Sequence, residues 1–425
     1  MYEIFHIKKG DIITLTGAGG KTSLMMALAT ELAQIGKVLI TTTTKIYKPL
    51  NTQFQKLILK DSTFVGQGKN IFVLGDSIED NKLTGVSYQE IYNIKNQYDF
   101  ILIEGDGAKE KIFKEWNENE PCIPPISNKI IGVINMEILD RGLSKENIHR
   151  FELFSQNYPT YLSHKVSQNF LTEYIKKAKF FKNSTANDRY LFFNGIDGEN
   201  SIERFSLAIS TCNELKKINY QAEFVLGSII ENKIYQYVPV SAIVMASGFS
   251  RRMGQDKLKL KYNGVSLLEN VLDKLNFANF FEILVCGRDS WTENICKKYN
   301  CKYLHNTKAN LGQSESIKLG VQNSSGKGFV FFTGDQVFLT PDTISKLYYN
   351  FEKYGYITVP TSNGDRYSPV FFPYSKKEEL LALQGDHGGK NIIRNTPLVS
   401  LVDFPYSQEF LDIDTPEDYS LIVEK

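Results

Sequence analysis

Two glycine loops hold the residue types that handle phosphates. The first reads Gly17-Ala18-Gly19-Gly20-Lys21-Thr22. Its glycines would let backbone N–H groups approach phosphate oxygens, and a helix opening near Thr22 would present its positive end. Lys21 would meet the terminal phosphates of ATP or GTP, and the Thr22 hydroxyl would reach Mg²⁺. The spacing departs from the usual P-loop, whose first glycine would fall at Leu15, with Gly17 offered instead. A dinucleotide fingerprint fits less well: its third glycine would fall at Thr22, and no acidic residue closes the next strand. Glu104 and Asp106 follow a buried strand, where a metal-ordering or water-activating carboxylate is expected; the bland alternative is a pair of capping carboxylates. Thr43, Thr44 and Lys45 would sense a γ-phosphate or simply end a strand. His149-Arg150 would touch an anion or open a solvated helix.

The second loop, Ala246-Ser247-Gly248-Phe249-Ser250-Arg251-Arg252-Met253-Gly254, is followed by Lys257. Backbone donors and three cations suit a triphosphate attacked at its α-phosphorus, because charge then builds on the departing pyrophosphate. A solvated basic turn is the alternative. Asp335 ends the apolar run Phe329-Val330-Phe331-Phe332 and would face the same crevice, where it would bind Mg²⁺ or Mn²⁺. The stretch from Asn306 to Ser316, with Ser314 and Ser316, would hold the base or ribose, or merely cap a helix. Asp414 would approach the metal, yet Thr415-Pro416-Glu417-Asp418 also reads as a capping box with proline in the first turn.

Buried strands must position these loops. Ile12–Thr16 precedes the first, and Ala242–Ala246 the second. Leu24, Met25, Leu28, Leu32 and Ile35 form a helical stripe closed by Gly36. Residues 38–40, 100–103, 130–134 and 190–193 are further apolar runs, so a parallel sheet covered on both faces is expected. The boundary falls near Tyr237-Val238-Pro239, which predicts two α/β domains, 1–237 and 240–425.

The chain has 425 residues, 42% hydrophobic and 23% charged, enough to build sizeable cores and to exclude disorder or a disulfide miniprotein. Its 49 basic and 48 acidic residues leave a net charge of +1, so no global field exists to hold nucleic acid. No signal pattern and no membrane-length apolar run is seen. Cys122, Cys212, Cys286, Cys296 and Cys301 are scattered, without a C-x-x-C pair, and read as reduced thiols of a cytoplasmic protein.

Residues 1–237 resemble the YqeC-type accessory proteins of selenium-dependent molybdenum hydroxylases. The resemblance is carried by Gly17–Thr22, Thr42-Thr43-Thr44-Lys45, Glu104-Gly105-Asp106-Gly107-Ala108-Lys109, Glu120-Pro121 and His149-Arg150. Asn194-Gly195-Ile196-Asp197 is similar to the guanine-reading N-K-x-D, with Gly195 in place of the lysine. Residues 240–425 resemble the MobA/MocA-type nucleotidyltransferases through residues 245–254 with Lys257, 312–316, 334–336, 368–372, 385–389 and 412–418. That resemblance implies a P-loop-like domain joined to a Rossmann-like nucleotidyltransferase domain. It also implies transfer of CMP from CTP to molybdopterin with loss of pyrophosphate, in the service of a molybdenum hydroxylase apo-enzyme. Arg252 and Lys257 would grip the triphosphate, Ala246, Ser247, Gly248, Ser250 and Gly254 would line it, and Asp335 would hold the metal. Val337, Ser368 and Lys390 depart from the family pattern, where proline, histidine and arginine are usual. The rival expectations are a cofactor-binding metallochaperone without transferase activity, and a guanylyl- or sugar-phosphate nucleotidyltransferase.

Overall fold

The computed structural model describes residues 1–423, and the chain divides into two units, Met1–Tyr237 and Val238–Lys425. In the first unit the continuous apolar runs become strands buried on both faces, because helices cover the sheet on each side. Ten strands make one sheet: β1 (Ile12–Gly17), β2 (Val38–Thr42), β3 (Lys56–Ile58), β4 (Thr63–Val65), β5 (Ile71–Leu74), β6 (Phe100–Glu104), β7 (Lys129–Asn135), β8 (Asp188–Asn194), β9 (Glu223–Ser228) and β10 (Lys233–Gln236). Their order is β10-β9-β8-β7-β1-β6-β2-β5-β3-β4. All neighbours are parallel except the antiparallel edge pairs β9/β10 and β3/β4.

The winding positions the first loop. From β1 the chain proceeds towards the β4 edge, returns at β6 beside β1, then crosses to β7 and continues to the other edge. The reversal therefore falls at β1, where a crevice opens outside the carboxyl ends of the strands. The glycine loop leaves β1 there, and Glu104 ends β6. The helix after the loop spans Lys21–Leu32 and buries Leu24, Met25, Leu28 and Leu32. Ile35, expected on the same stripe, lies past the helix in the turn before Gly36 and is 45% exposed. Lys45–Tyr47, Ile78–Glu79 and Lys82–Thr84 pair as a smaller antiparallel sheet. The pair Phe113–Lys114 and Ile148–His149 forms a separate two-stranded ladder. Aromatic packing fixes that ladder: Phe113 lies 4.4 Å from Tyr174, and Trp116 lies 4.9 Å from Phe180. Truncating a fully buried aromatic such as Phe113 costs about 3–5 kcal/mol.

The second unit has a mixed sheet of β11 (Val240–Ala246), β12 (Glu282–Gly287), β13 (Lys302–His305), β14 (Gly328–Thr333), β15 (Ile357–Ser362), β16 (Asp365–Arg366), β17 (Val370–Pro373) and β18 (Val399–Asp403). The order is β13-β12-β11-β14-β17-β15-β16, with β18 beside β15. β11 to β14 are parallel, whereas β17 runs antiparallel to β14 and β15. The parallel half places the loop after β11 and the end of β14 at one edge. Thr415 caps the helix Pro416–Val423: its hydroxyl accepts from Asp418 N–H at 3.2 Å, and Asp418 accepts from Thr415 N–H at 2.8 Å. Among the described residues, no helix is long and apolar enough to cross a membrane, and the five cysteines form no disulfide.

Candidate active sites

In the first unit, Gly17 and Gly20 are demanded by space as well as by backbone angle. At φ +98° a Cβ on Gly17 would lie 2.2 Å from the Val133 carbonyl oxygen; at φ +135° one on Gly20 would lie 2.5 Å from Asn194 Nδ2. Asn194 pins the loop, donating to Gly19 O at 2.9 Å. Asp197 accepts from Ser228 Oγ and pairs with Arg204 at 3.6 Å, so its carboxylate is committed within the protein rather than turned to a guanine. No side chain caps the helix at Gly20, which leaves its first turn open to an anion.

Behind the loop runs a ladder of alternating charges. Lys21 Nζ donates to Gly17 O at 2.6 Å and lies 3.2 Å from Asp106 Oδ1 and 3.8 Å from Glu104 Oε1. Asp106 Oδ2 accepts from Gly17 N–H at 3.1 Å and Trp116 Nε1–H at 2.5 Å, and lies 3.0 Å from Lys114 Nζ. Lys114, wholly buried, continues to Glu120 at 3.2 Å, and Glu120 meets Arg150 at 2.9 Å. Burial opposes the Lys21 charge, yet Asp106 and Glu104 outweigh it and raise its pKa. Burial raises Glu104 despite Lys21; Asp106 is equally buried, but Lys21 and Lys114 hold it below the usual range. Thr22 Oγ1 donates to Glu104 at 2.8 Å, which places the hydroxyl and carboxylate together.

Glycines 19 and 20, Lys21, Thr22, Thr44, Lys45 and Glu104 line a cavity of about 660 Å³ with Lys109, His149 and Arg150. Gly17 and Asp106 stand behind its wall. Thr43 turns its hydroxyl to Cys122 O at 2.7 Å, away from that role. Lys114 and Trp116 went unmarked in the sequence, where a lysine between aromatics signals only an odd residue in a short strand.

In the second unit, Asp335 leaves the end of β14 and is 2% exposed. Lys257 Nζ bonds Asp335 and lies 2.6 Å from Asp414 Oδ1, while Arg252 lies 3.1 Å from Asp414 Oδ2. Burial opposes the Lys257 charge, and Asp335 and Asp414 override it to raise its pKa. Asp412 takes a bond from Thr333 Oγ1 at 2.9 Å. Desolvation of its carboxylate, with Asp335 beside it, pushes its pKa up to about 6. Asp335, Asp412 and Asp414 thus gather beside only two cations, Lys257 and Arg252, a surplus of one negative charge that favours a further cation. Among the described residues, no three His, Cys, Asp or Glu side chains stand as a ready metal cluster. An ion would instead be held by Asp335 and Asp414 together with a ligand's phosphates, the usual Mg²⁺ arrangement.

Ser247 Oγ donates to Cys286 O at 2.7 Å, and Asn306 Nδ2 bonds both Ser247 and Ser316 at 3.1 Å. The hydroxyls of Ser247 and Ser316 therefore knit the loop to its helix, although both residues line the cavity. Ser250 adopts φ +48° and its Oγ accepts from Lys257 N–H at 3.2 Å, which folds the loop back onto itself. Ser314 is buried behind the wall, as is Ala246, and Gly254 at φ +73° turns the chain. Two cavities meet here. One, about 630 Å³, is lined by Ser247, Gly248, Ser250, Arg252, Lys257 and Asp335 among others. The other, about 760 Å³, has Arg366, Tyr367, Ser368, Phe372, Lys390 and Arg394 in its wall. Met245, Gln313, Thr333, Asp386 and Asp412 belong to both. Ser368 accepts from Gln336 Nε2 at 2.8 Å, and Val337 packs in the core with Met253, Leu267 and Ile413.

Comparison with known proteins agrees with this division. Residues 13–152 match the family model described as YqeC protein, and residues 242–401 that of the MobA-like NTP transferase domain. The first region is 32% identical over 156 residues to YqeC of Escherichia coli, covering 35% of this chain and 60% of that protein. The chain therefore spans less than two thirds of that relative's length. The second is 29% identical over 197 residues to a probable molybdenum cofactor guanylyltransferase of Natranaerobius thermophilus, covering 42% of this chain and 92% of the relative. It is also 28% identical over 195 residues to the molybdenum cofactor cytidylyltransferase of Escherichia coli, covering 44% and 96%. One region of the chain thus matches the YqeC protein model, and a later one matches the MobA-like NTP transferase domain model.

Proposed function

We propose that the second unit transfers CMP from CTP to the terminal phosphate of molybdopterin. The observation that carries this reading is Asp335, set with Lys257 beside the wall shared by two cavities. The cavity bearing Arg252 and Lys257 takes the triphosphate, and its neighbour, with Arg366, Lys390 and Arg394, takes the phosphorylated pterin. A phosphate oxygen of the pterin attacks the α-phosphorus, the bond to the β-phosphate oxygen breaks, and pyrophosphate leaves. The nucleophile is already anionic, so no general base is required. Arg252 and Lys257 stabilise the charge growing on pyrophosphate, and the largely buried setting of Lys257 and Asp335 strengthens those contacts. Asp335 and Asp414 would hold Mg²⁺ or Mn²⁺, which would supply Lewis acidity and alignment when bound.

The first unit, in this reading, binds ATP or GTP on Gly19–Thr22, with Mg²⁺ at Thr22, Glu104 and Asp106. The Thr22 hydroxyl and the Glu104 carboxylate, bonded at 2.8 Å on the cavity wall, support a cation there. Its task serves the same pathway, delivery of cofactor to a molybdenum hydroxylase apo-enzyme in the cytoplasm. Guanylyl transfer is the second reading, favoured by the name of the Natranaerobius relative. Pyrophosphate release with Mg²⁺ and molybdopterin, compared across CTP, GTP and ATP, tests both. Release with CTP, lost in Asp335→Ala, is expected. Preference for GTP moves the protein to the guanylyl branch, and no release with any nucleotide leaves a cofactor-binding module.

A further inference from the structure

Backbone strain marks one further site. Among the described residues, those at positive φ that are neither glycine, asparagine nor aspartate are His6, Lys109, Glu110, Arg150 and Ser250. Ser250 belongs to the second glycine loop. Lys109 (φ +47°), Glu110 (φ +62°) and Arg150 (φ +61°) all line the cavity of the first unit. Left-handed backbone costs such residues about 1 kcal/mol or more each, and it persists where the surroundings require it.

Their surroundings are short of negative charge. Arg150 gives one nitrogen to Glu120 at 2.9 Å and another to His149 Nε2 at 3.1 Å. A guanidinium has five donors, so it is aimed by these contacts without being exhausted. Burial first, then Lys114, Arg150 and Lys109, push His149 down to about 4, which keeps the ring neutral and able to accept from Arg150. Lys109 itself is exposed where it lines the cavity and, among the described residues, forms no ion pair. Lys21 and the open helix end already serve the phosphates on the glycine loop. Arg150 lies at the opposite end of the charge ladder, three ion pairs further on from Asp106.

We propose that Arg150, aimed by His149 and assisted by Lys109, forms a second anion site in this cavity, for the phosphate group of a ligand bound beside the nucleotide. The proposal rests on the reading of Gly19–Thr22 as a nucleotide loop, and makes the unit a two-ligand enzyme rather than a simple hydrolase. The test is binding of inorganic phosphate to the full chain, with and without saturating Mg²⁺ and the non-hydrolysable analogue AMP-PNP. Phosphate is expected to bind with the analogue present. Arg150→Gln and Lys109→Gln should each weaken it about tenfold, the scale of a charged hydrogen bond. Lys297→Gln, an exposed substitution that lines none of these cavities, should leave it unchanged. Lys109 is exposed, so its variant keeps the test valid even where Arg150→Gln misfolds. Displacement of phosphate by the analogue overturns the proposal, as does phosphate affinity indifferent to both Arg150→Gln and Lys109→Gln. A chain that binds no AMP-PNP sinks the nucleotide reading, while the phosphate titration still decides the anion site.

Discussion

Replacing Lys114 by methionine tests whether the charge ladder is held by its members or merely decorated by them. Lys114 is wholly buried, 3.0 Å from Asp106 and 3.2 Å from Glu120, and donates to Gly107 O at 2.8 Å. Removing one partner of a buried pair costs about 3–5 kcal/mol, because the other charge stays behind. Asp106 would still have Lys21, Gly17 N–H and Trp116 Nε1–H, and Glu120 would keep Arg150, so the lower end, about 3 kcal/mol, is expected. For a unit of this size that lowers the melting temperature by roughly 6–12 °C. The chain has two tryptophans, one in each unit, so urea unfolding followed by fluorescence in a Trp291→Phe background reads Trp116 and the first unit alone. Adding Asp106→Asn should make the double variant at least about 1 kcal/mol more stable than the two single losses predict. A loss under about 1 kcal/mol for Lys114→Met, or simple additivity, would refute the argument.

At Gly312 a Cβ would lie 2.4 Å from the Gly385 carbonyl carbon, with φ at +110°; Gly312→Ala should cost a few kcal/mol and push the two loops apart, seen as a lower melting temperature together with weaker nucleotide binding. Because His149 is pushed down to about 4 while an unfolded histidine titrates near 6.5, the unfolded state binds more protons between these values. Stability of the first unit should therefore fall as pH drops from about 6.5 towards 4, and His149→Gln should flatten that fall in urea titrations at several pH values. Millimolar Mg²⁺ or Mn²⁺ should raise the melting temperature of the second unit, with the gain lost in Asp335→Asn.

Local chemistry was legible where a residue's neighbours in sequence are also its neighbours in space. Strand, loop and helix follow one another at Ile12–Leu32, and the cap at Thr415 needs only Asp418, so short windows suffice. Lys114 shows the opposite case. Its partners Asp106 and Glu120 are close in sequence, but its burial depends on Tyr174, Phe180 and the ladder with Ile148–His149. Ser247 and Ser316 read as nucleotide contacts, while Asn306 and the Cys286 carbonyl claim their hydroxyls through pairings that cross the sheet. The antiparallel insertion of β17 between β14 and β15 is equally non-local, since an apolar run carries no mark of its direction.

The wall common to the two cavities of the second unit has a consequence for time rather than for chemistry. A molecule with one end in each cavity loses its freedom of translation once, and its second end then sees its pocket at a high effective concentration. Each end can let go and rebind before the whole escapes. A joined ligand will therefore reside far longer than either half, and clearing it, rather than making it, becomes the slow event.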